Sequence, residues 1–118
     1  MTAHRVLTDI YSAEHVRLDP GNGGALKTQQ FGSGLYQLQT AAAETRVLNA
    51  PLRSGIELAI CLAFDGGNCV VTSAVAINTA GNTIMTFADA RAMVVLRSIE
   101  SNGVFYWSVI SNDAVALS

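Results

Sequence analysis

Hydrophobic and polar positions alternate in short blocks along most of this chain, with short polar turns between the blocks. The last third carries the pattern most clearly. Thr83-Ile84-Met85-Thr86-Phe87 leads through Ala88-Asp89-Ala90 into Ala92-Met93-Val94-Val95-Leu96-Arg97-Ser98-Ile99. Glu100-Ser101-Asn102-Gly103 turns into Val104-Phe105-Tyr106-Trp107-Ser108-Val109-Ile110, and Ser111-Asn112-Asp113 turns into Ala114-Val115-Ala116-Leu117. A period of two, bounded by Gly, Asn, Asp and Ser, predicts strands joined in a β-meander.

The same text continues upstream. Residues 36–40 and 45–48 read as a short strand pair, closed by Asn49-Ala50-Pro51. The four residues between them cannot hold a helix alone. Residues 56–64 and 69–77 flank Asp65-Gly66-Gly67-Asn68 and read as a hairpin. The nearly continuous apolar runs at 56–64 and 92–96 predict strands buried on both faces. Turn signals recur roughly every eight to twelve residues, the spacing of a β-sandwich or barrel. The expected fold is all-β: a single sandwich-like or barrel-like domain over residues 35–118.

Residues 1–34 read differently. Extended pieces at 4–10 and 15–18 are interrupted by Asp19-Pro20-Gly21-Asn22-Gly23-Gly24 and Gly32-Ser33-Gly34. Proline removes a backbone donor and glycine frees φ, so both resist helix and long strand. One reading is an extended N-terminal arm, which thirty residues could stretch to roughly 100 Å. The other is an edge strand followed by a long loop.

Composition sharpens the picture in one respect. Only 14% of the 118 residues are charged while 50% are hydrophobic, against roughly 25% charged in ordinary soluble domains. So little charge implies extended apolar patches, and those mark interfaces. A homo-oligomer or a subunit of a larger assembly is expected. The net charge is −2 and the cations are scattered, six of the seven being arginine, so no phosphate-binding stripe forms and nucleic acid is not an expected partner. No apolar run is long enough to span a bilayer as a helix, and the first residues do not read as a secretory signal. A membrane partner is not expected, and synthesis in a cytoplasm is.

The chemistry-bearing residues form no reactive pattern. Gly21-Asn22-Gly23-Gly24-Ala25-Leu26-Lys27-Thr28 lacks the glycine before lysine that a phosphate-binding loop requires. His4 and His15 fall in the irregular region, with no serine in a nucleophile-elbow setting. The acids lie singly, several in turns where Asp bonds its own backbone. Cys61 and Cys69 are expected to be buried free thiols; a bridge would need a different register, and a metal more ligands. No catalytic residue, cofactor or metal is expected. Glu57 and Arg97 are the two charges inside apolar strands, which predicts a cross-strand ion pair or an intersubunit contact. Among the aromatics, alternation puts Phe105 and Trp107 on one face and Tyr106 on the other. They serve either as core plus a surface tyrosine or as a platform for a partner or glycan.

The segments Asn82-Thr83-Ile84-Met85-Thr86-Phe87, Ala92-Met93-Val94-Val95-Leu96-Arg97-Ser98-Ile99 and 103–113 resemble the closing hairpins of small tailed-bacteriophage virion proteins. The nearest likeness is to capsid decoration, or cement, proteins, and it covers about a third of the chain. It implies a β-rich structural protein, a homotrimer made in the host bacterial cytoplasm and seated on the capsid exterior, with the major capsid protein as partner. His4, Arg5, His15 and Arg17 on the arm, with Tyr106 and Trp107, are then the candidate partner contacts. A tail-fibre or receptor-binding module recognising a surface glycan is the alternative.

Overall fold

The computed structural model describes residues 16–28 and 33–118. Ten strands form one sheet curled into a half-barrel, with no helix among the described residues. They are β1 (Val16–Arg17), β2 (Gly24–Leu26), β3 (Ser33–Thr40), β4 (Glu44–Leu48), β5 (Glu57–Asp65), β6 (Cys69–Ile77), β7 (Asn82–Phe87), β8 (Met93–Ser101), β9 (Val104–Asp113) and β10 (Val115–Leu117). The all-β, barrel-like expectation is met.

The connectivity of the first six strands departs from the expected hairpins. β3 does not pair with β4, nor β5 with β6. Instead β1, β3 and β5 lie side by side in parallel, and β2, β4 and β6 do the same. Each odd–even pair is therefore an arch: the chain climbs one side, turns a corner and descends the other side, and successive arches stack. Residues 16–28, expected in the arm, supply the first arch.

The glycines at the 65–68 corner explain why it is not a hairpin. A two-residue type I′ turn needs φ > 0 at both central positions. Gly66 and Gly67 are not among the residues with positive φ. They are required for proximity instead: a Cβ on Gly66 would collide with the Thr40 carbonyl oxygen, and one on Gly67 with the Ala42 backbone. The corner lies directly against the corner below it. Thr40 Oγ1 donates to the Gly67 carbonyl at 2.7 Å and accepts from Gly66 N–H, while Glu44 N–H donates to the Asn68 carbonyl.

The closing meander is only partly a meander. β8 and β9 form a hairpin through Asn102-Gly103, both at positive φ as a type I′ turn demands. β6 and β7 are antiparallel across the expected 78–82 turn. β7 does not pair with β8, however, and β10 leaves β9 to pair with β7. A corner at Ala114, with φ of 68°, redirects the chain. Asn112 fixes that corner by accepting from Val115 N–H and donating to the Val115 carbonyl.

One hydrophobic cluster fills the inside of the curl. Leu26, Leu48, Val71, Met85 and Phe87 come from one side, and Leu38, Ile60, Leu62, Val94, Leu96 and Trp107 from the other. Burial in β5 and β8 alternates, so the expectation that both faces are buried is corrected. Small or weakly polar residues at the outward positions, such as Ala59, Cys61 and Val95, make half-exposed alternation look like a continuous apolar run.

Candidate interaction surfaces

The arch stack encloses one buried charge. Arg46 on β4 is 1% exposed, and all five of its guanidinium N–H groups are used. Nε and Nη2 grip Asp19 of the first corner at 2.8 and 2.9 Å. Nη1 donates to Glu44 and to the Thr45 carbonyl, and the second Nη2 hydrogen reaches the Gln39 carbonyl. Asp19 also accepts from Gly21 and Gln39 N–H. Partial burial raises the Asp19 carboxyl, but the bonds from Arg46, Gln39 and Gly21 outweigh it and hold it below the ordinary range. Glu44 is held low by Ala41 N–H and by Arg46. The bonds to Asp19, opposed by burial, drive Arg46 still higher than a free guanidinium. With every donor satisfied, this cluster is a structural lock between the first two arches.

Of the predicted residues that the structure describes, Arg17, Tyr106 and Trp107 are not brought together. His4, Arg5 and His15 lie outside the described residues. Arg17 sits on the edge strand β1 and lines a shallow cleft of about 430 Å³ with Leu18, Asp19 and Gln37. Tyr106 is half-buried on β9 and lines a separate pocket of about 420 Å³ with Asn78, Thr79, Ser101 and Val104. Four strand spacings separate β1 from β9, about 19 Å. Trp107 is fully buried in the core, the first of the two roles open to it. Among the described residues no group of three His, Cys, Asp or Glu side chains could hold a metal ion. Cys61 and Cys69 are free thiols, Cys69 buried and Cys61 half-buried. Burial pushes both thiols up.

What the fold does assemble is two outward sheet faces. On the β2–β4–β6–β7–β10 side, register aligns Ala25, Val47, Thr72 and Ile84 in one row. Thr45, Val70, Thr86 and Ala116 form the next. No charged side chain stands in either row, and Val47 is 43% exposed. On the β3–β5–β8–β9 side, Leu35, Ala59 and Val95 form one row and Ile99 with Tyr106 another. Glu57 stands directly opposite Arg97 in the same face, its Oε2 3.3 Å from Nη2. The expected cross-strand ion pair is present.

These faces were not picked out from the sequence, although the signal was there. Thr45-x-Val47, Val70-x-Thr72 and Ile84-x-Thr86 each place two uncharged residues on the side opposite buried ones. Their alignment into rows depends on arch stacking, which no local pattern reveals. No known protein family matches the chain, and no curated protein is similar to it in sequence.

Proposed function

We propose that this chain is a structural virion protein that binds the outer surface of a phage capsid and stabilises it by bridging neighbouring capsid subunits. The observation that carries the reading is the uncharged outward face of β2, β4, β6, β7 and β10. A rigid sheet presenting threonine, valine, isoleucine and alanine suits a partner surface that is itself uncharged and weakly polar. Burying it costs little desolvation, because no ion must leave water. Its stacked arches hold the face as a unit, so little ordering entropy is lost on docking.

The mechanism is mechanical. Each copy covers apolar surface on adjoining capsid subunits and raises the barrier to their separation. An oligomer engaging several such sites gains from effective concentration, so modest single contacts give high occupancy. Purified protein should co-sediment with expanded capsids of the phage that encodes it and delay their thermal rupture. Thr72→Lys, at an exposed outward position, should weaken that binding by tenfold or more while the fold persists. Absence of binding to the capsid would overturn the reading.

A glycan-binding module is the second reading, favoured by the pocket in which Tyr106 lies beside Asn78, Thr79 and Ser101. An aromatic ring with neighbouring hydroxyl and amide groups is the composition of a sugar subsite. Glycan-array binding lost in Tyr106→Ala would favour it over capsid attachment.

A further inference from the structure

The opposite face, formed by β3, β5, β8 and β9, differs in carrying a cross-strand ion pair among apolar and polar positions. Glu57 on β5 and Arg97 on β8 are 43% and 52% exposed at their side chains. Around them lie Leu35, Ala59, Val95, Ile99 and Tyr106, all half-buried and outward, with Ser108 beside Arg97 and with Gln37 and Asp113 at the two ends of the row through Cys61 and Met93. An ion pair this exposed adds little to the stability of the fold. Its chemical consequence is a positive and a negative group side by side on adjacent strands at the centre of the face.

We infer that this face is the contact between two copies of the chain, related by a two-fold axis lying in the interface and running between β5 and β8 along the strands. A rotation of 180° about such an axis exchanges the two strands. Glu57 of each copy then lies over Arg97 of the other, and Ala59 over Val95. The two pairs become one ring of four alternating charges, closed and neutral. An isologous contact needs a surface complementary to itself, and with this axis a lone Glu57 or a lone Arg97 would be buried against a position that carries no opposite charge. Sheets pack face to face about 10 Å apart, which leaves room for interdigitated side chains of this size.

Area is sufficient. Four strands cover about 19 Å in width, and nine residues reach about 30 Å in length, which gives on the order of 600 Å² per copy. Two copies bury about 1,200 Å², the lower end of specific and reversible interfaces. The apolar rows supply the affinity, and the charges set orientation and register. This contact does not rest on what the uncharged face binds, and it differs from the threefold assembly that the family likeness implies.

The test uses charge reversal and mixing. Wild-type protein should show twice the chain mass by light scattering at tens of micromolar. Glu57→Arg alone and Arg97→Glu alone should each be monomeric there, because like charges then meet across the axis. An equimolar mixture of the two variants should recover the dimer, since every Arg of one copy faces a Glu of the other. Emission from the buried Trp107 verifies that each variant is folded. A monomeric wild type at millimolar concentration, a threefold mass, dimers insensitive to both reversals, or a mixture that stays monomeric would each overturn the inference.

Discussion

Asp19 and Arg46 meet as a bidentate pair across 27 positions of sequence, the arginine 1% exposed and the carboxylate holding it from the first corner of the stack. Removing Asp19 leaves two N–H groups of the buried guanidinium unpaired and Glu44 as its remaining carboxylate, at a cost of about 3 kcal/mol, the lower end for breaking a buried pair. Asp19→Ala should therefore destabilise the protein by about that much in urea unfolding. The single tryptophan, fully buried at position 107, provides the fluorescence readout. A loss below about 1 kcal/mol, the value of a surface pair, would show that Arg46 finds other partners.

The same cluster makes stability depend on acid. Asp19 and Glu44 both titrate below their ordinary values of 3.8 and 4.5. The unfolded chain then binds more protons than the folded one in that range, so stability rises with pH through it. The contribution is complete above about pH 5 and is lost as pH falls through the lowered values, below about 4. Denaturation midpoints measured from pH 3 to 7 should plateau above 5 and drop below 4. Asp19→Asn should flatten that drop.

Corner stacking predicts an order among glycine substitutions. At Gly66 and Gly67 the missing Cβ makes room for backbone atoms of the neighbouring corner, which cannot yield. Alanine at either should cost about 3 kcal/mol, the upper range for overpacking. Gly21 has open space around it but φ of 86°. Alanine there meets only the left-handed penalty of about 1–2 kcal/mol. Thermal melts of the three variants should rank Gly66 and Gly67 below Gly21.

These glycines also show where the sequence was legible and where it was not. Asn102-Gly103 and Asp65-Gly66-Gly67-Asn68 look alike as turn text, yet one closes a hairpin and the other an arch. The difference lies in φ and in what packs against the turn, both set by distant strands. Glu57 and Arg97 could be read as partners because charges are rare in apolar strands and must be satisfied. Arg46 could not, since its carboxylate comes from a loop 27 positions away whose role emerges only on stacking. The alternation that located nearly every strand carries no information on which strand is its neighbour.

Ser98 is another buried polar group with two duties. Its hydroxyl donates to the Arg53 carbonyl at 2.6 Å and accepts from Ile56 N–H at 2.9 Å, fastening the β4–β5 connection to β8. Ser98→Ala leaves the Ile56 N–H unpaired in the interior, which costs about 1–3 kcal/mol. Hydrogen exchange should report it locally, with the Ile56 amide losing protection before the core of β5 does. Uniform loss across β5 would mean that the serine supports the whole sheet.

The two thiols separate the inside of the curl from its outer face. Cys69 is 0% exposed, whereas Cys61 stands half-buried in the row between Gln37 and Met93. Burial raises both above the ordinary thiol value, so thiolate is scarce at neutral pH and labelling should accelerate as pH rises past about 8.5. Dilute native protein should react at one thiol, and unfolded protein at two. Cys61→Ser should abolish the native reaction and leave the unfolded one intact. If the outer face pairs with a second copy, Cys61 labelling also slows as concentration rises, while Cys69 stays silent throughout. Equal reaction of both thiols in native protein would place Cys69 outside the core and refute the assignment of inner and outer faces.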